Sequence, residues 1–516
     1  PKPPNLQTSK PSKTSKTMDR GMLWQTIAPA TVALVLYLLV SMSSTDTDST
    51  SYLKSGKSPG SRKRNMTRVY NFPEDDLGNI HIAFHKQDLR LPNNVHYAYD
   101  SVERFGVDED LIKEYGKKGS YGIRSLYYPK WIQLTKNTWA YRQYGDWSWS
   151  NAGLIRMTNG KYLLVDTLMD FDLTKFMLEN LPEVEVVDED GSVGAEQINP
   201  KEIYAIVHTH GDVDHIYGDM FLKRFVRNTT LIITSEGTAK KMEMAPRPYR
   251  FGSGSKMSAR LWKLISMGHA TDSATRKLSP EYREMLLRMK PWMAKIALKF
   301  AAIIRSMAMF DAFNVRAVFA RVAKPDIIAK DFPYSLDDHV DLLQLSQYAH
   351  CYGEAVIHVK QDASLKDDGS LESVVFTGDI LFNSITPIQW VGPASAFIKS
   401  LNELLDLNAT YYVAGHGPVS DKRAIQTSID YFTYLQSGVQ ECNKNEVRDE
   451  FECGLLLLEK LPEPFRSWNS PERIFINVAV EMRKVKDPNY DGKKDFLSLF
   501  STQGRFRNEL ELMDDE

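Results

Sequence analysis

Cysteine is scarce in this chain. Three residues, Cys351, Cys442 and Cys453, among 516 are too few for a disulfide framework or a thiolate zinc site, although Cys442 and Cys453 could pair in an oxidising lumen. An excess of either charge is missing too. Lys plus Arg number 64 and Asp plus Glu 66, so no global field draws the protein to nucleic acid, and no nucleic-acid partner is expected. Charge of both signs is absent between Arg20 and Asp46, and in that gap "GMLWQTIAPATVALVLYLLVSM", Gly21 to Met42, is long enough to span a bilayer core. The whole, 42% hydrophobic and 25% charged, has the composition of a globular protein with a large core.

The N-terminal region differs from the rest. A polar, basic segment over 1–20 precedes a transmembrane anchor or signal peptide over 21–43, and a linker and lead-in rich in Ser, Thr and Lys runs over 44–115. A start at Met18 would make "MDRGMLW" the short positive n-region of a secretory signal. The expectation is a single-pass membrane protein, or a protein of the secretory pathway or extracellular space, that meets the membrane through this segment. Lys10, Lys13 and Lys16 on one side face Lys54, Lys57 and Arg62 to Arg64 on the other, which leaves the orientation open. Sequons at Asn65, Asn228 and Asn408 fit a lumenal body.

From about Asn137 short strands and helices alternate. "TWAYRQY", "AGLIRMT" and "KYLLVDT" read as strands and "TKFMLENL" as a helix. "EIYAIV", Glu202 to Val207, reads as a buried strand leading into "HTHGDVDH", and "LIIT" with "SEGTAKKMEM" repeats strand then helix. The histidine loop therefore sits at the C-terminal end of a strand, where α/β sheets place their sites. Within it His210, Asp212, Asp214 and His215 put four nitrogen and oxygen donors into six residues. That is too dense for one helix face and suits a loop wrapping two metal ions. Three further donors follow in order: His350 in "YAHCYGEAVIHV", Asp379 in "VVFTGDILF" and His416 in "YYVAGHGPVSD". Each borders an apolar, β-rich run, with glycine close by that lets backbone approach.

In this order the motifs resemble those of the metallo-β-lactamase-fold hydrolases. The superfamily pattern is His-x-His-x-Asp-His, then a His near a Gly, an Asp in a Thr-Gly-Asp turn, and a His in Gly-His-Gly-Pro. An early "N-x-G-L-I…LVDT" hairpin runs here from Asn151 to Thr167. The likeness spans roughly 137–430 and implies an α/β fold, an αββα sandwich with metals at one edge of its two sheets. We place this domain at 116–430 with a helical insertion over 242–324, and a helical C-terminal extension over 431–516. "SIDYFTYLQSGVQ" and "LPEPFRSW…ERIFINVAVEMRKV" carry that extension, and Pro464, Trp468 and Asn477 resemble residues around a terminal helix pair in related hydrolases.

The chain departs from the pattern at one ligand. Keeping the family spacing, His210 and His215 are the ends, Asp214 the usual Asp, and Asp212 takes the place of the second histidine. In the other register His208 and His210 form the His-x-His pair, with two extra residues in a bulged loop. The first register implies one ion on His210, Asp212 and His350, a second on Asp214, His215 and His416, and Asp379 bridging. His208 is then a polar residue bonded to its neighbours. The implied cofactor is two divalent ions, zinc first, with iron or manganese made more competitive by the added carboxylate. A hydroxide held between the ions would attack a carbonyl or similar centre, with Asp214 and Asp379 the catalytic carboxylates.

Two features bear on the substrate, a small molecule. Trp147 and Trp149 are two apart, so on a strand they share a face and either wall a pocket for an apolar chain or pack as ordinary core. The insertion, with Lys290, Lys295, Lys299, Arg305, Arg316 and Arg321 breaking a Met- and Phe-rich pattern, is either a basic amphipathic lid over a hydrophobic substrate or a helical pack on the sheet edge. The reading is a hydrolase of an ester, thioester, lactone or sulfate ester. The alternatives are a redox di-iron protein of the same fold, which can carry a carboxylate at the place of Asp212, and a membrane-anchored, non-catalytic binding protein.

Overall fold

Alternation of apolar residues along short strands builds a two-sheet sandwich. The computed structural model describes residues 127–144, 149–169, 171–187, 191–222, 224–244, 322–366, 368–468 and 470–504. The expected basic, membrane and linker segments, Asn65, Trp147, and the insertion from 245 to 321 lie outside the described residues. No described helix is long and apolar enough to cross a membrane.

The first sheet has seven strands. In chain order these are β1 (Tyr127–Thr135), β2 (Thr138–Tyr144), β3 (Ala152–Arg156), β4 (Tyr162–Val165), β7 (Ile203–Val207), β8 (Leu231–Ser235) and β9 (Ile327–Ala329), and they neighbour one another in that order. A separate hairpin, β5 (Glu183–Val187) with β6 (Val193–Gln197), stands outside it. The second sheet has five strands in sequence order: β10 (Tyr334–Asp337), β11 (Val340–Gln344), β12 (Ala355–Ala363), β13 (Leu371–Phe382) and β14 (Tyr411–His416). The region opens antiparallel and turns parallel where helices intervene: β4 pairs with β7 and β13 with β14 in parallel.

Period two assigns each strand face. Leu163 and Val165 of β4 point between the sheets, where they meet Ile357, Val374 and Phe376 of the second sheet. Leu164, from the same strand, faces outward with Ile206 onto Leu173 and Met177 of α1 (Phe171–Glu179). The outer face of the second sheet carries α5 (Ala394–Asp406) and α6 (Lys422–Lys444) through Phe397, Leu401, Ile425 and Phe432. Two sheets inside and helices outside make the expected αββα layering. Short helices α2 (Val213–Ile216), α3 (Asp219–Leu222) and α4 (Glu236–Met244) follow β7 and β8.

The C-terminal extension is helical, as expected. It comprises the end of α6, then α7 (Glu450–Glu459) and α8 (Ile474–Lys486), and a disulfide joins Cys442 of α6 to Cys453 of α7. Trp468 is buried with Phe451, Phe465 and Phe475 in the same core as α5 and α6. The first strand differs from expectation. It starts at Tyr127, ten residues before Asn137, because "YYPKWIQLT" carries a Pro and a Lys that blur its alternation and suit an edge strand.

A buried carboxylate ties one sheet to the other. Asp362 of β12 accepts from Thr135 Oγ1, from Asn137 N at 3.0 Å and Nδ2 at 2.8 Å, and from Thr138 Oγ1 at 2.9 Å, all in the β1–β2 hairpin. Replacing it with Ala strands these donors in the interior. Asp362→Ala should therefore lower stability by about 2 to 4 kcal/mol, read as a shifted urea midpoint with unchanged slope, and Asp362→Asn should recover part of it. An unshifted midpoint would show that the hairpin is held by its apolar contacts alone.

Candidate metal centre

The apolar strand "IYAIV" delivers the histidine loop to the sheet edge and ends at Val207, and Asp212 then precedes the single turn of α2. Asp212 occupies the position before the first helical residue but makes no side-chain capping bond, so its carboxylate is committed elsewhere. Asp214 and His215 lie in that turn, His350 in the loop before β12, Asp379 within β13 and His416 at the end of β14. The close approach of β14 depends on Gly415. A Cβ there would lie 2.0 Å from Asp379 Oδ1, so any side chain would displace the carboxylate.

These donors form two groups around one carboxylate. His210, Asp212 and His350 make one set and Asp214, His215 and His416 another, while Asp379 also groups with His210 and His215. Asp379 Oδ2 lies 3.7 Å from His210 Nε2 and 3.5 Å from His350 Nε2, and Oδ1 lies 3.1 Å from His215 Nε2 and 3.3 Å from His416 Nε2. His350 Nε2 lies 3.0 Å from Asp212 Oδ2, and His416 Nε2 3.4 Å from Asp214 Oδ2. His208 points the other way: its Nε2 meets Asp219 Oδ2 at 2.9 Å and its Nδ1 faces Asp166 at 3.4 Å. Among the described residues, His208 therefore lies apart from the groups formed by His210, Asp212 and His350 and by Asp214, His215 and His416.

The far side of each ring fixes which nitrogen faces the cluster. His350 Nδ1 donates to Ile388 O at 2.9 Å and His416 Nδ1 to Trp149 O at 3.1 Å. His215 Nδ1 donates to Asp166 Oδ2 at 2.8 Å. Thr209 Oγ1 donates to Asp166 at 2.7 Å and so accepts from His210 Nδ1 at 3.0 Å. With Nδ1 of each ring engaged from behind, Nε2 is the nitrogen that faces the cluster. His210 Nε2, His215 Nε2 and Asp379 Oδ1 are buried without a hydrogen-bond partner. Buried polar atoms are ordinarily paired, and here His215 Nε2 and Asp379 Oδ1 meet only as a 3.1 Å contact without a well-formed hydrogen bond, an arrangement that a bound cation would satisfy. The residues present fit divalent metal ions.

The field around His215 and His416 favours positive charge, whereas burial lowers His350. Burial would raise the Asp379 carboxyl, yet His416, His215 and His210 hold it well below the usual range. Burial would deprotonate His215, but Asp379 and Asp166 push it well above its ordinary value. His416 is raised in the same way, Asp379 and Asp214 overcoming burial. His210 goes down to about 3, from burial and from its neighbour His215. Carboxylates that keep buried imidazoles charged stabilise a cation in their place.

Several residues of this site were not among those expected from the sequence. Asp166, in the "LVDT" turn at a left-handed φ of 58°, also accepts from Thr209 N at 2.9 Å and is the common anchor of His208, Thr209 and His215. Non-Gly residues in that region cluster at functional sites, but nothing in one sequence announces the angle. Lys241 of α4 and Lys493, beyond α8, both bond Asp212. The loop that carries Ile388 is held by α8: Asn477 Oδ1 accepts from Gln389 N at 2.8 Å, Glu481 Oε2 from Ala394 N at 2.9 Å, and Arg473 donates to Thr386 O at 2.9 Å. Trp149 is 1% exposed and packs within the outer core of the first sheet among the described residues.

Comparison with known proteins agrees with the motifs. Residues 145–281 match the family model of the metallo-beta-lactamase superfamily, the family the motifs resemble. No curated protein matches the chain. Among solved structures, a metallo-beta-lactamase from Pontibacter korlensis is 11% identical, covering 59% of this chain and 99% of its own at a TM-score of 0.31. A metallo-beta-lactamase family protein from Thermus thermophilus is 16% identical, covering 71% and 89% at 0.32. The mono-zinc form of a metallo-beta-lactamase from Pseudomonas aeruginosa is 10% identical, covering 59% and 95% at 0.32. At these values no activity transfers from them.

Asp166 offers a test of the ring-anchoring network, because Asn tolerates the same left-handed backbone. Asp166→Asn should weaken divalent-ion affinity by about 10- to 100-fold, measured by competition with a chromophoric chelator. Unchanged affinity would mean that His215 is oriented without its carboxylate partner.

Proposed function

We propose that this protein is a metal-dependent hydrolase that cleaves an ester, thioester, lactone or sulfate-ester bond of a small molecule. The observation that carries it is the convergence of the unpartnered His210 Nε2, His215 Nε2 and Asp379 Oδ1 between two three-residue donor sets. His210, Asp212 and His350 would hold one divalent ion, Asp214, His215 and His416 a second, with Asp379 shared. Bound there, the ions supply an acidified water and Lewis-acid polarisation of the scissile group, with zinc the first candidate and iron or manganese next.

The chain's own residues do the positioning. Ile388 O, Trp149 O, Thr209 and Asp166 hold the four imidazoles by their outer nitrogens, so the donors are organised before a ligand arrives. Asp379 is 4% exposed and the four imidazoles 3% or less, which keeps bulk water from competing for the cluster. Asp214, at 12%, is less enclosed than Asp379 and would be placed to accept a proton from water. We also infer that the folded body faces an oxidising compartment, which the Cys442–Cys453 disulfide and the uncharged segment over 21–43 support.

The purified full chain can be tested with a panel of ester, thioester, lactone and sulfate-ester substrates alongside metal analysis. The expected result is turnover of one class with two equivalents of metal. Asp379→Ala should lose metal from both sets and lower kcat/KM by at least about 1,000-fold. Full activity in Asp379→Ala, or oxygen consumption by an iron-loaded protein without hydrolysis, would overturn the proposal.

A further inference from the structure

Two lysines distant in sequence share one carboxylate at the rim of the cluster. Lys241 Nζ donates to Asp212 Oδ1 at 2.6 Å, and Lys493 Nζ donates to Oδ2, the oxygen that His350 also faces. The turn carrying Lys493 is fixed in place. Gly492 N donates to Trp390 O at 2.9 Å, and a Cβ on Gly492 would come within 2.6 Å of that oxygen. Asp491 Oδ1 accepts from Lys493 N at 3.0 Å, and the ammonium stands 5.0 Å from the centre of the Trp390 ring.

One carboxylate balances one ammonium. Here it has two, with side chains only 19% and 22% exposed, so a single carboxylate is shared between two ammonium groups in a poorly hydrated spot. Cations on the Asp212 side would sharpen this, because a carboxylate turned toward a metal is less available to the lysines, and the ions add charge of the same sign. Asp212 is also the most open of the seven donors, at 17%, so a ligand entering on this side passes both ammonium groups.

We propose that Lys241 and Lys493 form an anion-binding subsite beside the metal centre, selecting substrates with a singly charged oxyanion next to the bond that is cleaved. A sulfate monoester or a carboxylate-bearing ester has this chemistry; a neutral ester or lactone does not. The proposal deepens the hydrolase reading and rests on it for the word substrate, while the subsite itself is testable by binding alone.

The metal-loaded full chain is titrated calorimetrically with butane-1-sulfonate, pentanoate and pentanamide, three probes of similar length that the enzyme does not turn over as esters. Either or both anions should bind at least about tenfold more tightly than the amide, the sulfonate and carboxylate arms showing which oxyanion the subsite prefers. Lys493→Met and Lys241→Met should each lower the anion affinity by about tenfold or more at unchanged metal content, whereas Lys493→Arg should stay within about threefold of wild type. Lys493→Gln, which keeps a donor to Asp212, replaces the Met variant if that one does not fold. Equal binding of anion and amide, or anion affinity that ignores both lysines, overturns the subsite. Lysine-dependent anion binding without hydrolysis of any ester would instead retain the subsite and refute the hydrolase. Hydrolysis without lysine-dependent anion binding does the reverse.

Discussion

One carboxylate faces both halves of the donor cluster, and the rest of the site is arranged around it. Each oxygen of Asp379 looks at two imidazoles, His210 and His350 on one side and His215 and His416 on the other. Four rings and three carboxylates packed this tightly in a dry interior need compensating charge close at hand. The consequences run outward. β14 must come so close that position 415 has no room for a side chain, and each imidazole must be held from behind so that its free nitrogen points inward.

That outer support comes from both sheets and from the C-terminal helices. Asp166 at the end of β4 serves the histidine loop, the carbonyl of Trp149 serves His416, and the loop bearing Ile388 serves His350. The last of these is fixed by Asn477, Glu481 and Arg473. Arg473 also stands over Phe382, which stacks on His416 at 5.1 Å between ring centres. The C-terminal extension is therefore part of what positions the centre. The sandwich supplies the donors, and the extension holds one of their loops and contributes Lys493.

How much of this was legible depended on sequence distance. The histidine loop could be read because its donors lie within a few residues of one another. His350, Asp379 and His416 could be found because each borders a strand and a glycine. The layered fold was implied by the resemblance of the ordered motifs to a known family, while the apolar run Leu163 to Val165 marked only a buried strand. Asp166 escaped because its role lies in a left-handed angle and in partners 43 and 49 positions away. Lys493 escaped because it meets Asp212 across 281 residues, and a lysine in a polar turn carries no signal of a buried partner. β1 escaped because edge strands tolerate the Pro and Lys that obscure alternation. Trp149 had two readings from its spacing, and only its burial separates them.

The central claim is that these donors hold two cations with Asp379 between them. Crystals of the zinc-loaded chain, measured on either side of the zinc absorption edge, test it most directly. The account predicts two anomalous peaks, one among His210, Asp212 and His350 and the other among Asp214, His215 and His416, each within bonding reach of an Asp379 oxygen, and none at His208. A peak on His208, or density on Asp212 that belongs only to Lys241 and Lys493 with no ion beside it, would contradict the account.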